Sequence, residues 1–185
     1  IIDRLMGDGQ HDLRWHFMFH PLSLALNSNG NGVRSHDMEG ANVAFSWSDQ
    51  DLSSEIFTGE TDYPYRGLMT GDADRPTCSL FLDLKSCVPL TMAFLIEPLK
   101  EEKRPIMTVS QIDAGEGVAV KVEYPDGEDL VLVSPTVAGE FQTDGVVTVF
   151  RSRSGSLCSV LTYGGTSVTV GGVSVADLNI PVNWH

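Results

Sequence analysis

Two kinds of side chain alternate between His11 and His20, and this alternation constrains the fold more than any other feature. On an extended strand the aromatic residues would lie on one face and the mixed, mostly polar residues on the other: Trp15, Phe17 and Phe19 against Arg14, His16, Met18 and His20. A face this aromatic has to pack against a second layer. The segment therefore predicts a sheet with one buried face. Its other face is either a functional surface or only the solvated side.

Short apolar strands separated by turn residues account for most of the remaining sequence. In the last third the separators have the composition of hairpin turns: Pro125-Asp126-Gly127, Ser154-Gly155, Gly164-Gly165 and Gly171-Gly172. No stretch has the apolar period of an amphipathic helix. We predict an all-β fold, an antiparallel two-sheet β-sandwich with minimal helix. Residues 1–100 would form its main antiparallel β-sheet region, and residues 101–185 would complete the sandwich or form a small second β-subdomain.

The charge and hydropathy of the chain exclude two classes of partner. The formal net charge is −13, from 25 acidic and 12 basic residues, which argues against nucleic acid because phosphate backbones require a cationic surface. No apolar run approaches the roughly 20 residues of a membrane span, so we expect no membrane partner. The chain opens with Ile1-Ile2-Asp3-Arg4, without a signal peptide, and we interpret it as a mature fragment or an excised domain.

The cysteines and histidines predict neither a metal site nor a catalytic site. Cys78, Cys87 and Cys158 lie in apolar strand-like contexts that are typical of inert buried thiols, without zinc spacing. Pairing of Cys78 with Cys87 across a hairpin stays open. His16 and His20 would be roughly 13 Å apart along one strand, so they cannot share a metal ion by themselves. We predict no cofactor, no metal and no catalytic residue in this chain.

A long connection between residues 59 and 76 holds an aromatic and cationic cluster outside the predicted strands. Its members are the candidates for carbohydrate contact: Tyr63, Tyr65, Arg66 and Arg75. Aromatic rings can stack on a sugar, and guanidinium groups can pair with a carboxylate. The same side chains could instead pack the loop onto the sheet, and both interpretations stay open.

Several motifs in the first hundred residues together resemble the heparinase II/III-like family of polysaccharide lyases. The first group is Ile1-Ile2-Asp3-Arg4-Leu5, Gly9-Gln10-His11, Trp15-His16-Phe17 and Phe19-His20-Pro21. The second group is Gly59, Tyr65-Arg66-Gly67, Pro76 and the predicted strand pair Thr77–Leu84 and Leu90–Pro98. The sequence departs from the family at Glu60, where a tryptophan commonly follows the matching glycine.

The resemblance implies an activity for a longer protein and a supporting role for this chain. The family joins an α/α toroid to C-terminal antiparallel β-sheets and cleaves uronic-acid polysaccharides by β-elimination, with a Tyr and a His as general acid and base. Those catalytic residues lie upstream of the point that matches Ile1. This chain would then be the C-terminal β portion, with a structural or cleft-supporting role and no activity alone.

The same resemblance implies the partners and the location. The partners would be the missing toroid and the first β-sheet of the parent protein, with acidic polysaccharide as a candidate ligand. The face formed by Arg14, His16 and His20 would pack against those missing parts, and the protein would be periplasmic or secreted.

Two alternatives come from other functional classes. The first is a non-catalytic carbohydrate-binding β-sandwich module that contacts saccharide through Tyr63, Tyr65 and Trp47. The second is a structural module that mediates oligomerisation through an exposed sheet edge.

Overall fold

The protein has the all-β fold that its sequence predicts. The computed structural model describes residues 1–19, 23–26, 30–36, 41–48, 51–59, 77–99, 107–114, 117–133, 136–175 and 182–184. Within these ranges the strands form four sheets and no α-helix occurs. The chain divides into two compact units: Ile1–Ser46, Gln50–Met92 and Ile96–Arg104 in the first, and Trp47–Asp49, Ala93–Leu95 and Pro105–His185 in the second.

Eight strands lie in the first part of the chain: β1 (Ile2–Leu5), β2 (Gln10–Phe19), β3 (Ser23–Leu26), β4 (Gly32–His36), β5 (Asn42–Trp47), β6 (Ser53–Thr58), β7 (Cys78–Cys87) and β8 (Leu90–Leu99). They form a three-stranded sheet of order β2-β7-β6 and a five-stranded sheet of order β1-β8-β5-β4-β3. Strand β7 is central in the smaller sheet and pairs antiparallel with both of its neighbours.

The alternation along β2 is confirmed, because its aromatic face is the inner one. The ring of Phe17 lies 4.4 Å from that of Phe45 on β5, and the ring of Phe19 lies 6.0 Å from it. Trp15 donates its indole N–H to Asp3 on β1 at 2.8 Å. These contacts join the three-stranded sheet to the five-stranded sheet face to face. The first unit is therefore a β-sandwich.

Strands β7 and β8 follow each other in sequence but do not form a hairpin, because they lie in different sheets. Cys78 and Cys87 are consequently the two end residues of one strand, roughly 30 Å apart, and cannot form a disulfide. None of the three cysteines forms a disulfide. Cys78 is buried as expected, whereas Cys87 and Cys158 are exposed. For these two the expectation was wrong, because an apolar strand exposes every second side chain when one of its faces meets solvent.

Ten strands lie in the second unit: β9 (Thr108–Ile112), β10 (Val118–Tyr124), β11 (Gly127–Val133), β12 (Thr136–Ala138), β13 (Phe141–Thr143), β14 (Val147–Arg153), β15 (Ser156–Tyr163), β16 (Val168–Val170), β17 (Val173–Ser174) and β18 (Val182–Trp184). They form a six-stranded sheet of order β18-β15-β14-β11-β10-β9 and a four-stranded sheet of order β12-β13-β16-β17. Pairing is antiparallel except between β15 and β18.

The second unit is a smaller sandwich with its own core. Leu132, Phe150 and Val160 of the six-stranded sheet are almost fully buried, as is Val168 of the four-stranded sheet. The ring of Phe141 on β13 packs at 4.8 Å against that of Phe150 on β14. Each unit thus buries apolar residues between two sheets that are antiparallel apart from the β15–β18 pair, as a sandwich requires.

Candidate functional site

The solvent-facing side of the three-stranded sheet carries the histidine face that the sequence singles out. Arg14 lies opposite Asp83, and His16 lies opposite Phe81, where β2 pairs with β7. Glu55 on β6 lies opposite Phe81 from the other side. Residues directly opposite each other point to the same face of a sheet. We call this surface the outer face; its members are Arg14, His16, Met18, Glu55, Phe57, Phe81 and Asp83.

A two-pronged ion pair orients the arginine of the outer face. Arg14 donates from Nε and Nη2 to the two carboxylate oxygens of Asp83, at 2.6 and 2.7 Å. The hydrogen bond from Arg14 lowers the pKa of Asp83, and the same bond raises the pKa of Arg14. The Arg14 side chain is still 55% exposed. The guanidinium is therefore held in one orientation while one of its edges faces solvent.

Phe81 is the centre on which the outer face is built. The His16 ring stacks on it with centroids 4.3 Å apart and planes 4° apart. The guanidinium carbon of Arg14 lies 5.1 Å from the Phe81 centroid, and the Phe57 ring meets Phe81 edge-on at 5.5 Å. An imidazole and a guanidinium therefore both lie against one half-buried aromatic ring.

The geometry of the outer face suits binding. Aromatic rings with a neighbouring fixed guanidinium can contact the apolar side of a sugar or the planar groups of a protein partner. Asp83 already neutralises Arg14, so the face has little capacity to attract a free anion from a distance. Across the described residues, no group of three or more His, Cys, Asp or Glu side chains could hold a metal ion.

The structure brings two of the predicted interdomain residues together and leaves the others outside its description. Arg14 and His16 lie side by side on the outer face, both in contact with Phe81. His20 lies outside the described residues. So do the four carbohydrate-contact candidates, Tyr63, Tyr65, Arg66 and Arg75. Trp47 is only 2% exposed, so it cannot contact a saccharide as the alternative interpretation requires.

Sequence reasoning missed Phe57, Phe81 and Asp83, which hold the outer face together. A signal for two of them was present in β7, where Phe81, Asp83 and Lys85 alternate with leucines. That alternation places Phe81 and Asp83 on the solvent side. Their partners on β2 could not be identified, because a strand's own pattern does not reveal its register with another strand.

A second ordered polar cluster lies on the six-stranded sheet of the other unit. Arg151 binds Asp129 through two hydrogen bonds of 2.8 and 2.6 Å. The Tyr124 hydroxyl donates to Asp129 at 2.8 Å, and the guanidinium carbon of Arg153 lies 4.1 Å from the centre of the Tyr124 ring. Each of the four residues thus contacts another member of the cluster, an arrangement that stabilises the sheet.

The environment of the cluster shifts the pKa values of its members. Burial, with a smaller contribution from the bond to Asp129, raises the pKa of Tyr124 to about 12. Burial would by itself raise the pKa of Asp129, but the bonds from Arg151 and Tyr124 outweigh it and lower the pKa. The cluster is therefore most stable with a neutral phenol and an ionised carboxylate.

Comparisons with known proteins find no protein-family model and no curated protein that matches this chain. Among the described residues, no helix is long and apolar enough to cross a membrane.

Proposed function

We propose that this chain is the C-terminal β-sandwich portion of a heparinase II/III-like polysaccharide lyase, with no activity alone. In the full-length protein it would support the cleft in which uronic-acid polysaccharides undergo β-elimination. Two lines of support meet here. The motifs of the first hundred residues resemble that family, and the all-β sandwich is the architecture that the resemblance implies for this portion.

The observation that carries the proposal is the order of the outer face. An ordinary solvated sheet face displays separate flexible polar side chains. Here Arg14 and His16 are both fixed against Phe81, and Asp83 fixes the guanidinium from the other side. Side chains ordered before binding lose less conformational entropy when a partner docks, which is the advantage that preorganisation gives to an interface. We therefore assign the outer face to contact with the toroid and the first β-sheet of the parent protein.

Reconstitution in trans tests this assignment. The upstream portion of the parent gene would be expressed separately and mixed with this chain, and eliminative cleavage of a panel of uronate polymers would be followed by the absorbance of the unsaturated product. We expect no product from this chain and product from the mixture. The double variant Arg14→Glu/His16→Glu should weaken association of the two parts by at least about tenfold, since a like-charged or misfitting contact at a packed interface costs about 1.4 kcal/mol or more.

A charge-matched control separates a local effect from a general one. Arg153→Glu/Ser156→Glu makes the same change of charge in the second unit, on strands that do not belong to the outer face. It should leave association unchanged. Equal weakening by both double variants would contradict the assignment of the outer face.

A second candidate function is a free-standing carbohydrate-binding module, favoured by the stacked rings of His16 and Phe81 with Phe57 edge-on beside them. Exposed aromatic rings can accept the C–H side of a pyranose. Isothermal titration of this chain against neutral and acidic oligosaccharides distinguishes the two functions. Saccharide binding that Phe81→Ala abolishes would favour the module, and absence of binding would favour the lyase portion.

A further inference from the structure

A cleft of about 380 Å³ opens between the two sheets of the second unit, at the end where the β10–β11 and β14–β15 turns lie. The six-stranded sheet contributes Gly127, Glu128, Ser152, Gly155 and Leu157 to its lining, and the four-stranded sheet contributes Glu140, Phe141 and Val170. All of these lie within one unit. The volume is within the range of roughly 300–1,000 Å³ that is usual for small-molecule sites.

The floor of the cleft is apolar and packs on the core of the unit. Phe141, Leu157 and Val170 pack against the core of the unit, yet each remains half-buried because the sandwich is open at this end. The Phe141 ring is held at 4.8 Å and 56° against the fully buried Phe150. A fixed aromatic ring that is open to solvent on one side can contact the body of a ligand without reorganising.

Carboxylates come to the cleft from both sheets. Glu128 lies on β11 directly opposite Glu123 of β10, an arrangement of like charges that destabilises a strand pair unless something offsets it. Lys121 offsets Glu123, with its ammonium 2.8 Å from that carboxylate, and it also attracts Glu128. Glu140 lies across the cleft in the turn before β13. The described lining residues thus include two carboxylates and no cationic side chain, above an apolar floor.

We propose that this cleft binds a small organic cation, a protonated amine carried on an apolar body. The body would lie on Phe141, Leu157 and Val170, and the ammonium group would lie between Glu128 and Glu140, where two carboxylates attract it. The ring of Phe141 adds a cation–π attraction. A neutral ligand of the same shape would keep only the apolar contact, and an anionic one would be repelled. The proposal is independent of the function assigned to the outer face.

Titration of the intact, isotope-labelled chain with three matched probes tests the proposal by NMR. Benzylamine is cationic at pH 7, benzyl alcohol is its neutral counterpart and benzoate is the anion. We expect benzylamine to shift the backbone amide signals of Gly127, Gly155 and Val170 in a saturable way, with added salt weakening the binding because the carboxylates are exposed. Benzyl alcohol and benzoate should bind at least about tenfold more weakly.

Two single variants with the same formal charge change, and one double variant, identify the cause. Glu128→Gln removes one cleft carboxylate and should weaken benzylamine binding severalfold, and Glu128→Gln/Glu140→Gln should reduce it to the level of benzyl alcohol. Asp51→Asn removes one exposed carboxylate of the first unit, at a position that is not part of the outer face, and should have no effect. The proposal is overturned if benzylamine shifts no cleft amide, if the three probes bind equally, or if Asp51→Asn weakens binding as much as Glu128→Gln.

Discussion

Gly145 occupies a position in the second unit that has no room for a side chain. Its N–H donates to the Thr143 hydroxyl at 2.9 Å, and the Thr148 hydroxyl is bonded to those of Thr143 and Thr162 at 2.7 and 2.8 Å. A Cβ added to Gly145 would approach the Thr162 and Thr148 hydroxyl oxygens at 2.6 and 2.8 Å. All three threonines are buried, so these oxygens cannot move into solvent.

We expect Gly145→Ala to destabilise the protein by about 1–3 kcal/mol, the usual cost of overpacking a core. Urea unfolding followed by circular dichroism measures it. A double-mutant cycle with Thr162→Ala provides the control, because removing the nearest hydroxyl makes room for the new methyl group. In the Thr162→Ala background, Gly145→Ala should lower the free energy of unfolding clearly less than in the unmodified protein. An equal cost in both backgrounds would show that the clash is not the cause.

The raised pKa of Tyr124 predicts that the folded protein loses stability at alkaline pH. Its pKa is raised in the folded state to about 12, from about 10 in the unfolded chain. The folded state holds this proton more tightly than the unfolded chain does. The contribution of the Tyr124 phenol to the free energy of unfolding is therefore complete below pH 10 and is lost as the pH rises toward 12. The free energy of unfolding, measured with urea, should fall across this pH window. In the Tyr124→Phe variant it should fall less steeply.

A spectrophotometric titration of the folded protein checks the same group directly. The chain has four tyrosines, and the ionisation component near pH 12 should disappear in Tyr124→Phe. Persistence of that component in the variant would show that another tyrosine is responsible.

The three cysteines should differ in reactivity according to their burial. Cys78 is 1% exposed, whereas Cys87 and Cys158 lie at exposed positions. A thiol reagent such as DTNB should therefore label two thiols in the folded protein and the third only after unfolding. Rapid labelling of only one thiol would contradict either the exposure of Cys87 or that of Cys158, and mass spectrometry of the peptides would identify which.

At the scale of elements, the central strand β7 separates an interior from an outer face. Leu82 is fully buried on its inner side, and Met18 on the neighbouring β2 is 57% exposed on the outer side. Leu82→Ala should cost about 2–5 kcal/mol, because it leaves a cavity in the sandwich. Met18→Ala should cost less than about 1 kcal/mol. Chemical unfolding measures both, and comparable losses would contradict the assignment of the two faces.

The alternation of residues could predict the face of β2 but not its neighbours. Trp15, Phe17 and Phe19 were correctly placed inside, since a period of two is enough to separate two faces of a strand. That β7 pairs with β2 rather than with β8 depends on long-range contacts that no local pattern encodes. For the same reason Phe81, at the centre of the candidate site, could not be connected with His16.

Strands β12 and β13 were the other feature that the sequence did not reveal. They span only three residues each and build half of the four-stranded sheet. Three residues are too few to show a period, and their pairing is determined by the turn at Gly139 and Glu140 and by packing on the six-stranded sheet. The hairpin turn at Ser154-Gly155, by contrast, was recognisable, and both residues have the positive φ of 49° and 76° that such turns require.

At the scale of the whole molecule, each unit presents one surface suited to binding: the ordered outer face in the first unit and the acidic cleft in the second. Under the proposed function, such a domain would contribute to an enzyme by supporting a site whose reacting groups belong to other parts of the full-length protein.

The most direct test of the proposed function compares this chain with the longer polypeptide that the proposal requires, in a single lyase assay. Both would be incubated with the same panel of uronic-acid polysaccharides, and formation of the unsaturated product would be followed by its absorbance. We predict product from the parent polypeptide on at least one polymer and none from this chain. Product from this chain alone, or an inactive parent on every polymer of the panel, would contradict it.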